Sequence, residues 1–537
     1  MLEQHLAILP IILPLIAAPI VLILGRSLLS WGFATFISAW ACFIAWQLLV
    51  ATLSDGVLSY AVGGWPPPWG IEMRIDAANA FVLLAVSSIS TLVLLFAKDS
   101  IQKEIDTSQH SLFYTAHMLC LAGLSGILVT GDAFNLFVFL EISSLATYTL
   151  VSLGRDRRCL TAAFRYLVMG TIGATFILIG VGMLYMKTGT LNMLDLSERI
   201  HAFESNRTIN TGLAFIMVGV SVKLALFPLH AWLPAAYTYA PSAVTAFLAS
   251  TATKVAVYVM IRFIFTIFGA EYVFEDMSMD LILMVLAVVA IFNCSYMAAV
   301  QSNVKTVLAY SSVAQIGYMI LGVSLVSVTG LMAGMIHIVN HALMKGALFM
   351  AVGAVFYRVG SVEVRAFNGL GKQMPLTMAA FTIAGLSIIG VPLTVGFISK
   401  WYLVTAALEQ NHWLIAALVL AGSLLAIVYI GRILEAAYFQ KPPVDRKPVK
   451  EAPLSMLIPM WILVIANIYF GVDTSLTTEA ARAAAETLFQ NSADINALIE
   501  SLRGTKVVDS LVSSDSSVIS DSSVIDETHQ LSAEVAQ

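Results

Sequence analysis

Charge is the scarcest ingredient of this sequence. Asp, Glu, Lys and Arg supply 11% of the residues and hydrophobic side chains 59%, whereas an ordinary soluble domain is about one quarter charged. That balance excludes a soluble globular protein and points to a chain that lives in lipid. Basic surplus is also missing: the formal net charge is −5, which gives no signature for nucleic acid. The four cysteines, Cys42, Cys120, Cys159 and Cys294, lie scattered through apolar stretches without a CxxC pair, so neither a disulfide framework nor a metal site is expected. A nucleotide-binding loop, a haem-ligation motif and a cysteine cluster for iron–sulfur chemistry are all lacking, and no cofactor or redox centre is anticipated. The first apolar stretch, about 9–24, has no basic leader and no small-residue cleavage site, and reads as a retained span.

What the chain does have is long apolar runs. A spanning helix needs about 20 mostly apolar residues, and the sequence parses into fourteen segments centred near Ala17, Ala41, Ser88, Leu121, Leu140, Ala174, Val222, Lys254, Ala287, Ala314, Ala342, Leu386, Leu420 and Trp461. With the N-terminus outside, the inner loops hold 14 basic residues (Arg26, Lys98, Lys103, Arg155, Arg157, Arg158, Lys305, Arg358, Arg365, Lys372, Lys441, Arg446, Lys447 and Lys450) and the outer loops 4 (Arg74, Lys187, Arg199 and Arg207). Lys and Arg favour the cytoplasmic side, so both termini are expected outside. Residues 473–503 show helical periodicity fit for a peripheral helix, with a loosely packed extension as the alternative. The serine-rich repeat within 504–537 reads as a disordered tail.

Two segments are unlikely material for regular helices. The seventh contains Lys223, Pro228, His230 and Pro234, and the twelfth contains Gly390, Pro392, Gly396 and Lys400. Proline has no N–H to donate, so each segment should be kinked or broken. Broken helices survive in membranes where protein or a hydrated cavity serves the freed carbonyls. Their recurrence five spans apart suggests two related half-units. In the eleventh segment His337, His341 and Lys345 follow at helical spacing on one face.

Charges inside hydrocarbon cost several kcal/mol unless they are paired, hydrated or snorkelling, so retained ones suggest ion movement. Lys223 and Lys254 sit near the centres of their segments, with Glu141 as the available carboxylate. Burial favours a neutral amine and a nearby carboxylate a charged one, which makes such a pair a switch; a purely structural ion pair is the plainer reading. His337 and His341 suit a proton relay, against packed residues that satisfy local backbone groups. Without a third ligand they give no metal site. His230 could equally close the broken helix. Lys345 is divided between the relay and a structural or lipid-facing role, and Asp132 between ion entry and capping. Arg165 reads as a further buried charge, whereas Arg262 and Arg432, near segment ends, suit snorkelling or anchoring.

The stretch from Gly131 through Asp132 and Asn135 to Glu141, the Lys223 to Pro234 motif, Lys254, and the Gly390 to Lys400 motif together resemble the proton-conducting antiporter-like subunits shared by respiratory complex I and Mrp-type cation/proton antiporters. Within that family the likeness is greatest to the antiporter D-type subunits, and it covers roughly Met1 to Tyr469. The resemblance implies an all-α polytopic membrane fold of about fourteen transmembrane helices. Its parts would be helices one to three over 1–111, two inverted five-helix repeats over 112–268 and 269–440 with helices seven and twelve broken, and an inner loop with helix fourteen over 441–472. It also implies Glu141 and Lys223 as the charged pair, Lys254 as the bridge to the centre, His337 and His341 as the central relay, and Lys400 as the charged site of the second broken helix. The implied partners are protons, sodium through the full complex, and other integral membrane subunits in a cell inner or plasma membrane. No independent chemical catalysis is implied. Two alternatives stand beside the antiporter: a proton-pumping subunit of a NADH-quinone oxidoreductase or related electron-transfer complex, and a noncatalytic membrane scaffold.

Overall fold

The computed structural model describes residues 5–203, 206–444 and 446–490. The proposed tail 504–537 and the end of the extension beyond 490 lie outside the described residues. In chain order the helices are α1 Leu9–Leu24, α2 Ser27–Asp55, α3 Ala77–Glu104, α4 His110–Val129, α5 Ala133–Ser152, α6 Arg158–Thr188, α7 Met193–His201, α8 Arg207–Leu224, α9 Trp232–Tyr239, α10 Ser242–Ser250, α11 Ala252–Ile261, α12 Met279–Val300, α13 Val304–Ser324, α14 Val328–Val359, α15 Leu370–Gln373, α16 Pro375–Ile389, α17 Val395–Glu409, α18 Trp413–Tyr438 and α19 Leu454–Val472.

Among the described residues, eleven helical stretches are long and apolar enough to cross a membrane. Every one of the fourteen expected centres falls within a helix, and the smaller count has a physical cause. Helix α1 has only 16 residues, α8 stops at Leu224 ahead of Pro228, and the twelfth segment is divided into α16 and α17 around Gly390–Thr394. The all-α expectation is corrected in one place. Strands β1 Leu58–Ala61 and β2 Glu72–Ile75 pair antiparallel, Leu58 opposite Ile75 and Ala61 opposite Glu72, and form a hairpin between α2 and α3.

Helix α14 is the structural axis. It packs against α3, α10, α13, α16, α17 and α19, and nearly its whole length from Gly330 to Val355 is buried. Close approach is built from glycine: a Cβ on Gly322 would stand 2.7 Å from the Gly330 carbonyl, and one on Gly396 would stand 1.8 Å from the Ser387 carbonyl. Helices α2, α6, α12 and α18 form much of the exterior and show large apolar side chains such as Phe43, Leu160, Leu281 and Leu424, as lipid or subunit contact requires. The described part of the extension, 475–490, is helical. It buries Ala480, Ala481, Ala484, Ala485 and Leu488, with Phe489 edge-on to Phe265 at 5.1 Å.

Candidate functional site

The site begins where helices stop. Helix α8 ends in left-handed Ala225 (φ 61°), and the chain turns through a cis Phe227–Pro228 bond before α9. The Leu226 amide, which a continuous helix would direct to Val222, donates instead to the Ser221 carbonyl at 2.9 Å, while Trp232 Nε1 donates to the Val222 carbonyl at 2.9 Å. Trp232 is fixed by stacking on Tyr166, centroids 4.0 Å apart. Lys223, in the last turn of α8, points away from this repair. Its Nζ donates to Ser144 Oγ at 2.9 Å and lies 3.4 Å from Glu141 Oε1. The pair is only partly shielded, the side chains being 8% and 26% exposed.

The second break is served differently. Pro392 cannot supply the amide that Ile388 would bind in an unbroken helix, and the chain leaves α16 through Gly390 at φ 96°. Lys400, on α17, folds back so that Nζ donates to the Ile388 carbonyl at 2.8 Å and the Ile389 carbonyl at 3.1 Å. It also lies 4.9 Å from the centre of the Tyr318 ring. The negative end of the α16 dipole adds to this attraction. No carboxylate joins it among the described residues: the amine is held by carbonyls and a ring face.

Between the two breaks runs a buried polar row. Thr251 (φ −124°, ψ −64°) separates α10 from α11, and Lys254 Nζ donates to the carbonyl of Ala249 exposed by that kink, with Thr253 Oγ1 at 3.4 Å. Lys345 donates to the Leu308 carbonyl at 2.8 Å and to Ser311 Oγ. His337 joins Ser399 Oγ through Nδ1 at 2.8 Å and Gln315 Oε1 through Nε2 at 3.1 Å. With Gln315 turned so that Oε1 faces the ring, Nε2 donates to it, and in the neutral ring Nδ1 is then the acceptor toward Ser399. His341 stacks on His337 with centroids 6.0 Å apart and is wholly buried, and its ring nitrogens make no hydrogen bond to protein among the described residues.

The structure therefore brings Glu141 and Lys223 together, and gathers His337, Ser399 and Lys400 around the second break. Lys254 lies within electrostatic reach of His337, His341 and Lys345, and His341 within reach of His337 and Lys345. His230 stands apart, half-buried, stacked on Phe227 at 5.3 Å and edge-on to Tyr310 at 6.3 Å. Asp132 caps α5, accepting from the Asn135 amide at 2.6 Å. Burial raises the Asp132 carboxyl pKa, while the amides of Asn135 and Phe134 oppose that shift. Among the described residues no group of three His, Cys, Asp or Glu is placed to hold a metal ion.

Three charges differ from expectation. Arg165 is exposed on the outside of α6, because its helical position points away from the α5 and α8 contacts. Arg262 does not snorkel: it is 5% exposed and grips Asp76 with two hydrogen bonds of 2.7 and 3.0 Å, and Asp76 itself caps α3. Their separation of 186 positions along the chain hid that pair. Lys305, counted with the inner loops, is buried at the start of α13, held to the Ala240 carbonyl at 2.9 Å.

Fold and site together define a class: polytopic membrane proteins that interrupt two helices and stock the interior between them with lysine and histidine. Residues 130–426 match the family described as NADH:quinone oxidoreductase/Mrp antiporter, TM, and the chain belongs to that family. It is 41% identical over 486 residues to a NADH-quinone oxidoreductase subunit N of Desulforudis audaxviator, covering 87% of this chain and 96% of the relative. It is 29% identical over 498 residues to the D-type component of a Na(+)/H(+) antiporter of Bacillus subtilis, covering 93% of this chain and all of the relative. A chain in the structure of the Mrp complex from a Dietzia species superposes with a TM-score of 0.84 at 25% identity, covering 93% of this chain and 100% of the other.

Proposed function

We propose that this chain is the proton-translocating subunit of a multisubunit sodium/proton antiporter, set in the cell inner or plasma membrane with both termini outside. The two broken segments and α1 complete fourteen crossings, and the segments from α4 to α11 and from α12 to α18 form two inverted units. The observation that carries the reading is the way the buried amines are held. Lys254 and Lys400 rest on carbonyls freed by helix breaks, and Lys345 on a helical carbonyl and Ser311, whereas Lys223 rests on a serine and a carboxylate. An amine held by neutral dipoles can give up its proton without stranding a counter-charge; one held by Glu141 cannot. Lys223 is thus the switch, and Lys254, His341, His337 and Lys400 are the sites that its setting loads or empties.

A small cavity of about 40 Å³ supports the first transfer. It touches Lys223, Ser143, Ser144 and Thr147 on one side and Ala252, Val255 and Ala256 of the Lys254 helix on the other, a partly polar space large enough for water. Moving one charge across the membrane involves about 2.3 kcal/mol per 100 mV, so the proton must be coupled to a second gradient, with sodium crossing through the assembled complex and its other membrane subunits. The 41% identical relative favours a second reading, a proton pump powered by an electron-transfer partner. Genes adjacent to this one separate the two: small antiporter subunits, or quinone-oxidoreductase subunits. The direct test expresses the whole gene cluster, prepares inverted vesicles, and measures cation-dependent proton movement. Loss of transport in assembled Lys223→Met and Lys400→Met variants is expected. Normal transport in both would leave a scaffold as the remaining role.

A further inference from the structure

A second polar cavity, about 160 Å³, lies at the end of the molecule where the inner loops gather. It is bordered at the surface by exposed Arg155, Asp156 and Arg158 and reaches inward to Glu104 and Lys305. Their side chains are 9% and 5% exposed, and Glu104 Oε2 stands 3.9 Å from Lys305 Nζ. The carboxylate accepts from Ser100 Oγ at 3.1 Å and from the Ser242 amide and hydroxyl at 2.9 and 3.1 Å. The titratable groups facing it are Lys103 of its own helix, Arg155, Asp156 and Arg158 of the α5–α6 turn, Tyr239 of α9 and Lys305 of α13. Arg155 and Arg158 are already engaged by Asp106 and Asp156, and Lys103 by the Tyr357 carbonyl. Lys305 is therefore the one cation of this set whose carboxylate partner is Glu104.

Helix α13 continues inward from that point as a polar row. Three groups follow along it, turning about the helix as they go: Lys305, the Leu308 carbonyl with Ser311, and Gln315. The second of these holds Lys345 and the third holds His337. From Lys305 to Ser311 the rise is about 9 Å, so transfer over that stretch takes a chain of waters rather than a single one.

We propose that Glu104 and Lys305 form the inner proton-intake gate of the relay, delivering protons along α13 to Lys345 and His337. A hydronium ion in the cavity transfers its proton to Glu104 and leaves as water. The neutral carboxyl releases Lys305, which passes one proton to water on the Lys345 side and takes the Glu104 proton in return. The pair is restored and one proton has moved inward. This assignment rests on the relay reading above and gives Lys345 a place in it, as first acceptor on the inner side.

The competing role is mechanical, since Glu104 also holds the start of α10 and Lys305 holds the Ala240 carbonyl. Glu104→Gln separates the two roles, because the amide oxygen still accepts from Ser242 but the side chain cannot take up a proton. In inverted vesicles the inner loops face the bath, so bath pH reads this side directly. Intake through Glu104 predicts that Glu104→Gln inserts and assembles normally, loses about 10-fold in cation-driven proton movement, and has a flattened dependence on bath pH. Glu104→Asp should restore most of the rate, and Lys305→Gln, which keeps a donor for Ala240, should lose the rate as Glu104→Gln does. Wild-type rate and pH profile in Glu104→Gln overturn the gate. Failure to assemble passes the decision to Lys305→Gln, whose normal transport likewise overturns it. Lys223→Met in the same vesicles is the reference: its loss beside a normal Glu104→Gln removes the gate alone, and normal transport in Lys223→Met removes the relay.

Discussion

At the Leu224–Trp232 break an indole takes the Val222 carbonyl and leaves Lys223 free to meet Glu141 and Ser144. At the Gly390–Thr394 break the lysine itself takes the carbonyls. The same local defect, a helix that cannot complete its hydrogen bonds, thus gives two electrostatic outcomes. In the first half the ammonium has a formal counter-charge and a geometry that changes if the carboxylate moves. In the second it has only dipoles, with Ser399 linking the neighbouring turn to His337. On the proposed reading, the Lys223 break is the one that switches and the Lys400 break the one that holds or releases.

The largest effects should come from removing either amine. Lys223→Met and Lys400→Met are each expected to lower coupled proton movement by about 100-fold, the scale of a positioned proton-transfer group, while the assembled complex survives in detergent. If only Lys223→Met impairs transport, the second half is not on the path. Next comes a double-mutant cycle. Glu141→Gln with Lys223→Met should cost little more than Lys223→Met alone, because the two act as one pair, whereas Glu141→Gln with Lys400→Met should combine nearly additively in log rate. Equal coupling in both cycles would erase the distinction between the halves.

Substituting the glycine at the second break has a smaller, mixed effect. Gly390→Ala places a side chain at φ 96°, with its Cβ 3.2 Å from Lys400 Cδ. The strain is of order 1–3 kcal/mol, read as a lower unfolding temperature in detergent, and displacement of the amine should reduce transport as well. Stability loss with unchanged transport would mean that Lys400 tolerates a different seat.

The sequence made both breaks legible because proline announces a missing donor. Pro228 follows Leu224, and Pro392 follows Ile388, by four residues, the spacing at which a helix needs an N–H. The α10–α11 kink was not legible. Thr251 is neither proline nor glycine, so nothing local foretells that the Ala249 carbonyl will be open to Lys254. The charges themselves were visible, but their partners were not. Side-chain reach across helices decides that Lys305 faces Glu104, that Arg262 meets Asp76 and that Arg165 faces outward, and helical periodicity within one segment carries no such information. The β1–β2 hairpin escaped for a related reason: its short strands are held by each other and by Glu72, whose carbonyl takes the Gly131 amide at 2.8 Å and whose carboxylate takes Asn192 at 2.9 Å.

The smallest expected effect lies at the first break, where the glycine test runs in the opposite direction. Ala225 occupies the left-handed region that Gly390 occupies at the second break, at φ 61° and wholly buried. A Cβ there costs about 1–2 kcal/mol, whereas glycine loses about 0.4–1 kcal/mol through the freer unfolded chain. Deleting the wholly buried methyl costs about 0.8 kcal/mol more, so Ala225→Gly should leave the unfolding temperature nearly unchanged. Transport should stay at its original rate, since Lys223 is held through Glu141 and Ser144 rather than through the turn that follows it. A fall in transport with no loss of stability would show that the Ala225 methyl group sets the position of Lys223. The first break would then depend on backbone packing as the second does, and the contrast between a carboxylate-held and a carbonyl-held lysine would no longer be enough to account for the two halves.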